Sequence, residues 1–320
     1  MSLEFRLDNN CPNDWNQNLL KSEFGNIYNT YEYSQYAKSR LDWIPSFLSI
    51  IDSNGNIISQ TVLFDVKNKK FGKLSRLTNK IDSKKLSKLK WTYGPVTFSQ
   101  QKEDAVNSFL EYLSKTGKKL DGIIHPLLGT NFHKHDFRPQ KWSTFLIDLR
   151  QSKESILQNM EKSVRKNIIK SEKRDVKIVK ITDSSIHDYH KILNQHRLES
   201  NNSLYDLEDT IELWDKLSPI GFGGYLAKKD NVVIGGITFS SFNGYLNEWG
   251  IARSQKDTTE KLYSQDLLKW KIIEWGINHG HKFYDLTGVN PIPQNQKEEG
   301  ILRYKKKWGG NQFEYWLLGR

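Results

Sequence analysis

Tyr284-Asp285-Leu286-Thr287-Gly288 is followed, after a polar loop, by Gly300-Ile301-Leu302-Arg303-Tyr304-Lys305-Lys306-Lys307-Trp308-Gly309-Gly310. The first run reads as a strand ending in a glycine turn. The second puts cations and aromatics on a short element of about two turns, halted by paired glycines. If the strand end opens into a cleft, a lysine placed there can hold an anionic group or polarise a carbonyl. The competing reading makes Arg303, Lys305, Lys306 and Lys307 the wet face of a terminal helix. Tyr304 and Trp308 weigh against it, because large apolar groups need burial and draw one of the cations toward the cleft with them.

Upstream of this stretch the chain alternates strand and helix signals. In the first half, Tyr28 to Arg40 reads as a helix. Phe47 to Ile51 and Ile57 to Phe64 form a hairpin about Ser53-Asn54-Gly55-Asn56. Trp91-Thr92-Tyr93-Gly94-Pro95-Val96 is a strand stopped at Gly-Pro. Ala105 to Lys115 is helical, and Leu120 to Ile124 is extended after Gly117. In the second half, Ser152 to Arg174 reads as one long helix, N-capped by Ser152, with Ile156, Met160, Val164 and Ile168 as its apolar stripe. Val176 to Ile181 is a strand and Ser185 to Leu198 a helix. A hairpin turns at Lys229-Asp230-Asn231, Tyr245 to Ala252 is a strand, Gln265 to Asn278 a helix, and Phe283 to Leu286 a strand. The repeated order (hairpin, strand, helix, glycine stop, strand) implies a duplicated α/β unit, with its boundary between Trp142 and Gln151.

Composition bounds the function. The chain has 320 residues, 37% of them hydrophobic and 12% aromatic, enough for two ordinary cores. A net charge of +11 and a pI near 9.3 favour anionic partners: phosphate-bearing substrates, nucleic acid or an acidic membrane surface. Cys11 is the only cysteine, which excludes an intramolecular disulfide and a thiolate metal site. No apolar run approaches the ~18 residues of a membrane span and no leader pattern opens the chain, so a cytoplasmic protein is expected.

Taken in order, several of these stretches resemble the Fem-type aminoacyl and peptidyl transferases of the GNAT acyltransferase superfamily. The first is the Gly94-Pro95-Val96 strand end. Phe145-Leu146-Ile147-Asp148-Leu149 with Ile156-Leu157 and Arg165-Lys166-Asn167-Ile168 is next. Gly235-Gly236, Trp249-Gly250-Ile251-Ala252 and Leu267-Leu268-Lys269-Trp270 follow, then the two C-terminal runs. The resemblance spans roughly residues 30 to 316. It implies an α/β (α+β) fold of two tandem GNAT-like domains, 1–148 and 149–320, each a mixed, mostly antiparallel sheet flanked by helices. The second domain would carry the acyl-transfer cleft. The implied donor is aminoacyl-tRNA or another activated acyl group, with no cofactor. The implied acceptor is an amine, in a phosphate-bearing cell-envelope precursor of the kind used for peptide bridges, and the basic charge would allow peripheral contact with a membrane surface.

Residue by residue, the family's lysine after an aromatic falls on Lys305, with Tyr304 as that aromatic. The aromatic before the strand glycine falls on Trp249, where the tyrosine hydroxyl of bridge-forming members is absent. Glu248 is the candidate proton acceptor. Arg303, Tyr93, Arg165 and Asp285 complete the candidate substrate-binding set. Glu199 stands where muramyl-peptide-using members carry an Arg-Asp-Gly run, which argues against assuming a UDP-muramyl acceptor. The helical-hairpin insert of some members is missing.

Other signals are weaker. A GNAT that uses acetyl-CoA needs a glycine-rich turn opening the helix after the central strand, so that backbone N–H groups close on the pyrophosphate. Here that segment, Arg253 to Glu260, has no glycine. Gly221-Phe222-Gly223-Gly224 precedes a strand and reads as a turn. The basic run of Lys67, Lys69, Lys70, Lys73, Arg76, Lys80, Lys84, Lys85, Lys88 and Lys90 reads first as a solvated loop or edge. The helix face of Lys162, Arg165, Lys166, Lys170 and Lys173 is the better phosphate candidate. His125, His133 and His135 lack a helix to align them on a metal. Two alternatives stay open: an N-acyltransferase acting on an amino sugar or lipid-linked saccharide with a non-tRNA donor, and a non-catalytic anion- or nucleic-acid-binding module.

Overall fold

The computed structural model describes residues 3–67, 87–132 and 137–319. It divides into two compact units, Met1–Ser143 with Phe313–Arg320, and Thr144–Gln312. Most of the Lys67–Lys90 basic run, together with His133 and His135, lies outside the described residues.

The first unit contains β1 (Glu4–Asp8), α1 (Trp15–Leu19), α2 (Tyr31–Arg40), β2 (Trp43–Ile51), β3 (Ile57–Lys67), β4 (Ser87–Gly94), β5 (Val96–Thr97), α3 (Lys102–Lys115) and β6 (Lys119–Ile124). Its strands lie in the order β1-β2-β3-β4-β6, and β5 pairs with β3. The hairpin predicted at Asn54-Gly55 is present. Gly55 takes φ 82°, and the Asp52 carboxylate closes the turn by accepting the N–H groups of Asn54 and Asn56 at 2.8 and 2.9 Å. β4 and β6 run parallel, which requires a crossover, and α3 supplies it. Val106, Phe109, Leu110 and Leu113 form the helix stripe that packs with Leu89, Trp91 and Leu120 of the strands.

The second unit is built from β7 (Arg138–Asp148, entering from the first), α4 (Lys153–Asn159), α5 (Lys162–Lys173), β8 (Lys177–Lys180), α6 (Ile186–Glu199), α7 (Leu207–Leu217), β9 (Phe222–Lys229), β10 (Val232–Phe242), β11 (Tyr245–Arg253), α8 (Gln255–Thr259), α9 (Ser264–Asn278), β12 (Phe283–Val289) and α10 (Gln296–Lys306). The last strand, β13 (Asn311–Gly319), returns to the first unit and pairs with β6. The sheet of the second unit runs β7-β12-β11-β10-β9-β8. β11 and β12 are its parallel pair, joined through α9. Buried at ten positions around its circumference, α9 is a central helix and not a surface one.

Two expectations are corrected here. The single helix read from Ser152 to Arg174 is two, because the chain turns extended at Met160 (ψ 148°). The four stripe residues are all buried as expected. The break comes from tertiary contacts. Glu161 N–H donates to Lys307 O at 2.9 Å instead of continuing the helix. Gly309 presses on the same spot, where a Cβ would come within 2.3 Å of Asn159 O. The short element before Gly309-Gly310 is also longer than expected. Asn295 accepts the Glu298 N–H at 3.0 Å and starts α10 well upstream of Arg303.

Candidate functional site

Within the second unit, β11 and β12 are registered at Tyr245/Phe283, Leu246/Tyr284 and Asn247/Asp285, and the strands part beyond that point. The notch so formed lies beside Thr287 and Gly288, at the end of the opening motif. On the β10 side of β11, Thr238 faces Gly250 and Phe239 faces Glu248, leaving Trp249 as the extra residue of a β-bulge. Trp249 is half-buried, edge-on to Phe222 at 5.3 Å.

Lys305 reaches the notch from α10. Its Nζ donates to Thr287 O at 2.9 Å, Thr287 Oγ1 at 3.2 Å and Gly288 O at 2.9 Å. Three acceptors match the three N–H bonds of the protonated amine. Burial brings its pKa down to about 8, partly offset by the nearby Glu248 charge. Thr287 itself is held at φ 65°, an uncommon conformation for a β-branched residue. Asp285 imposes it. Fully buried, that carboxylate accepts the Thr287 N–H at 2.7 Å, the Tyr245 hydroxyl at 2.7 Å, Asn247 Nδ2 at 3.1 Å and the Thr144 hydroxyl. Asp285 therefore shapes the strand end, and Thr287 passes that shape on to Lys305.

A buried ionic layer lies beneath. Glu248 (2% exposed) is ion-paired with Lys269 (1%) of α9 and accepts the Tyr284 hydroxyl at 2.7 Å. Burial, reinforced by Glu248, pushes the Tyr284 hydroxyl pKa well above its ordinary value. Tyr304 packs between Lys269 and Lys307, whose Nζ atoms lie 5.7 and 4.3 Å from its ring centre. Asp266 of α9 receives Asn167 Nδ2 at 2.7 Å and faces Lys307 at 3.5 Å.

The structure thus brings Lys305, Tyr304, Glu248, Trp249 and Asp285 around the parting of β11 and β12. Arg303 is exposed on α10. Arg165 is drawn elsewhere. Its Nη1 donates to the carbonyls of Leu157, Gln158 and Met160 at 2.8, 3.2 and 2.5 Å, capping α4 at the helix break. Tyr93 belongs to the first unit, buried at φ 49° among Tyr28, His125 and Tyr315. His125 is fully buried, and burial alone pushes its pKa down to about 3. No cluster able to hold a metal exists among the described residues. Among those residues, too, no helix is long and apolar enough to cross a membrane.

Sequence reasoning missed Thr287, Lys269, Tyr284 and Asp266 as working parts. Lys269 carried a usable signal: it sits inside Leu267-Leu268-Lys269-Trp270, one turn before Ile272 and Ile273, in the most apolar stretch of its helix. A cation there needs a buried partner.

Two units of one strand order, each with a parallel pair joined by a helix, make the tandem GNAT-like α/β architecture that the sequence led us to expect. The solved structure of FemX has this fold. It superimposes with a TM-score of 0.71 at 12% identity, covering 99% of this chain and 97% of FemX. The C-terminal domain of a putative lysylphosphatidylglycerol synthetase from Agrobacterium fabrum gives 0.58 at 13% identity, covering 95% and 92%. L-PGS from Bacillus licheniformis gives 0.55 at 10%, covering 97% and 92%. No protein-family model matches the sequence, and no curated protein matches it. The likeness shows the fold that this chain shares with FemX.

Proposed function

We propose that this protein is an acyltransferase that moves an aminoacyl or other activated acyl group onto an amine. The donor is read as aminoacyl-tRNA and the acceptor as an anionic cell-envelope precursor, met in the cytoplasm or at the membrane surface. One observation carries the reading: a half-buried ammonium, Lys305, is fixed by three oxygens at the parting of β11 and β12 in a FemX-like fold. Acyl transfer from an ester needs the two reactants aligned and the developing negative charge on the carbonyl oxygen stabilised. Lys305 supplies that charge through space, its three N–H bonds being held by Thr287 and Gly288, and those tethers remove the reorganisation a free lysine would need. Trp249 is a wall of the notch, and Arg303, exposed two residues before Lys305 on α10, is an outer contact for a substrate phosphate.

Two assignments change in role. Glu248 is committed to Lys269 and Tyr284 below the notch, so it acts as a positioning residue that offsets the charge beneath Lys305. Asp285 positions Thr287 and does not touch substrate. Arg165, spent on the α4 carbonyls, is left out of the substrate set.

Incubating the protein with charged tRNA and amine acceptors from envelope extracts, followed by mass spectrometry, tests the reading. A new amide bearing the tRNA's amino acid is expected. Transfer from no donor, with the fold intact, would contradict it.

A further inference from the structure

α10 buries no residue completely, and Leu302 packs on the core only in part, so the seat of this helix depends on polar ties as well. On one flank Lys305 Nζ is held by Thr287 and Gly288 at the end of β12. On the other lies Asp266 of α9, 5% exposed. Its Oδ1 faces α10, 3.5 Å from Lys307 Nζ and 3.4 Å from the Tyr304 hydroxyl, which donates to it. Its Oδ2 accepts Asn167 Nδ2 of α5 at 2.7 Å. One carboxylate therefore joins three helices.

At 3.6 residues per turn, Lys305 and Lys307 project about 160° apart, with Tyr304 in the arc between them. A helix tied on one flank can roll about that tie, and ties on both flanks stop it. The Glu161 N–H bond to Lys307 O fixes where α10 ends and leaves its roll free. The Tyr304 ring, with Lys307 Nζ at 4.3 Å and Lys269 Nζ at 5.7 Å from its centre, carries the brace across to the buried Glu248–Lys269 pair.

We propose that Asp266 is a positioning residue for the transfer: by bracing Tyr304 and Lys307 it fixes the roll of α10 and holds the Lys305 ammonium on the Thr287 and Gly288 carbonyls. The proposal rests on the acyltransferase reading for what that ammonium does, and on geometry alone for how it is held.

The titration of Lys305 reports whether it is held. Burial brings its pKa down to about 8, and a lysine released to water returns toward the ordinary 10.5. Trace acetylation of the full chain with acetic anhydride over a pH series, quantified by peptide mass spectrometry, reads that titration without any substrate. Asp266→Ala should move the Lys305 curve up by about one pH unit or more, and Asp266→Glu, which keeps the charge, should restore much of it. Tyr304→Phe/Lys307→Met leaves the Asp266–Asn167 bond intact and should give the same shift, so it decides the matter if Asp266→Ala does not fold. In steady state, Asp266→Ala should lower kcat by about ten- to a hundredfold with KM near the wild-type value, and the alkaline limb of the rate should move up with the titration. A merely structural residue would lower Tm and leave both curves in place. A Lys305 titration that stays near the wild-type position in the folded variants would overturn the proposal, whether or not the protein transfers acyl groups. A shifted titration without any transfer would instead uphold the positioning and count against the functional reading.

Discussion

The two units share one strand plan and contrast sharply in the layer between strand and helix. In each, two parallel strands are bridged by a helix that packs across them. In the first unit the strand-to-helix layer is apolar. Trp91 of β4 is fully buried, edge-on to Phe109 of α3 at 5.4 Å, and fills the space over Gly122, where a Cβ would come within 2.0 Å of the indole. In the second unit the corresponding layer is ionic, with Glu248 of β11 on Lys269 of α9 and on Tyr284 of β12. An indole there makes a tight core. A buried ion pair costs several kcal/mol of desolvation per ion, and an apolar replacement often matches it in stability. A layer that stability alone would fill with hydrocarbon points to chemistry above it, and Lys305 lies above this one.

That contrast can be broken from either side. Trp91→Ala should cost about 3–5 kcal/mol through cavity formation, read by denaturant unfolding. Glu248→Ala should cost a similar ~3–5 kcal/mol, because Lys269 is left buried and unpaired. The double variant Glu248→Leu/Lys269→Met sharpens the comparison. It should recover most of that loss in stability while transfer activity stays impaired. Recovery of both would show that the ionic layer has no functional role.

The pH dependence is the next largest effect. Lys305 has a folded pKa of about 8 against an ordinary 10.5, so between these values the unfolded chain binds more protons. Its contribution to stability therefore rises with pH across that window, by about 3 kcal/mol at most at 1.36 kcal/mol per unit. The difference between wild type and Lys305→Met, followed from pH 7 to 10.5, isolates it. The same titration predicts the opposite trend for activity, which should fall as pH rises through about 8 and the ammonium is lost.

The smallest effect concerns the helix break. Arg165→Ala should cost about 1–3 kcal/mol, the value of hydrogen bonds from a charged donor. It should leave the transfer rate within twofold, because the guanidinium serves the α4 carbonyls and not a substrate phosphate.

Much of this was legible before any coordinates. Asn54-Gly55, the Lys229–Asn231 turn and the stops at Gly117 and Gly280 announce their conformations locally, so the strand and helix order could be read directly. The aromatic-lysine pair in Tyr304-Lys305 directed attention to α10, whose Lys305 meets the end of β12. What stayed hidden was set by tertiary contacts. The break at Met160 depends on Lys307 and Gly309, which lie far along the chain. The commitment of Glu248 depends on Lys269, twenty-one residues away. Alternation along a strand puts neighbours such as Glu248 and Trp249 on opposite sides. It could not say which side was sealed by a lysine.

Lys305→Met, assayed for transfer of a labelled aminoacyl group with Trp91→Phe as a control of equal folding, tests the central claim most directly. Removing the ammonium while keeping the length of the side chain should slow transfer at least a hundredfold, and the control should stay near wild type. A Lys305→Met protein that folds normally and transfers within tenfold of the wild-type rate would contradict the account.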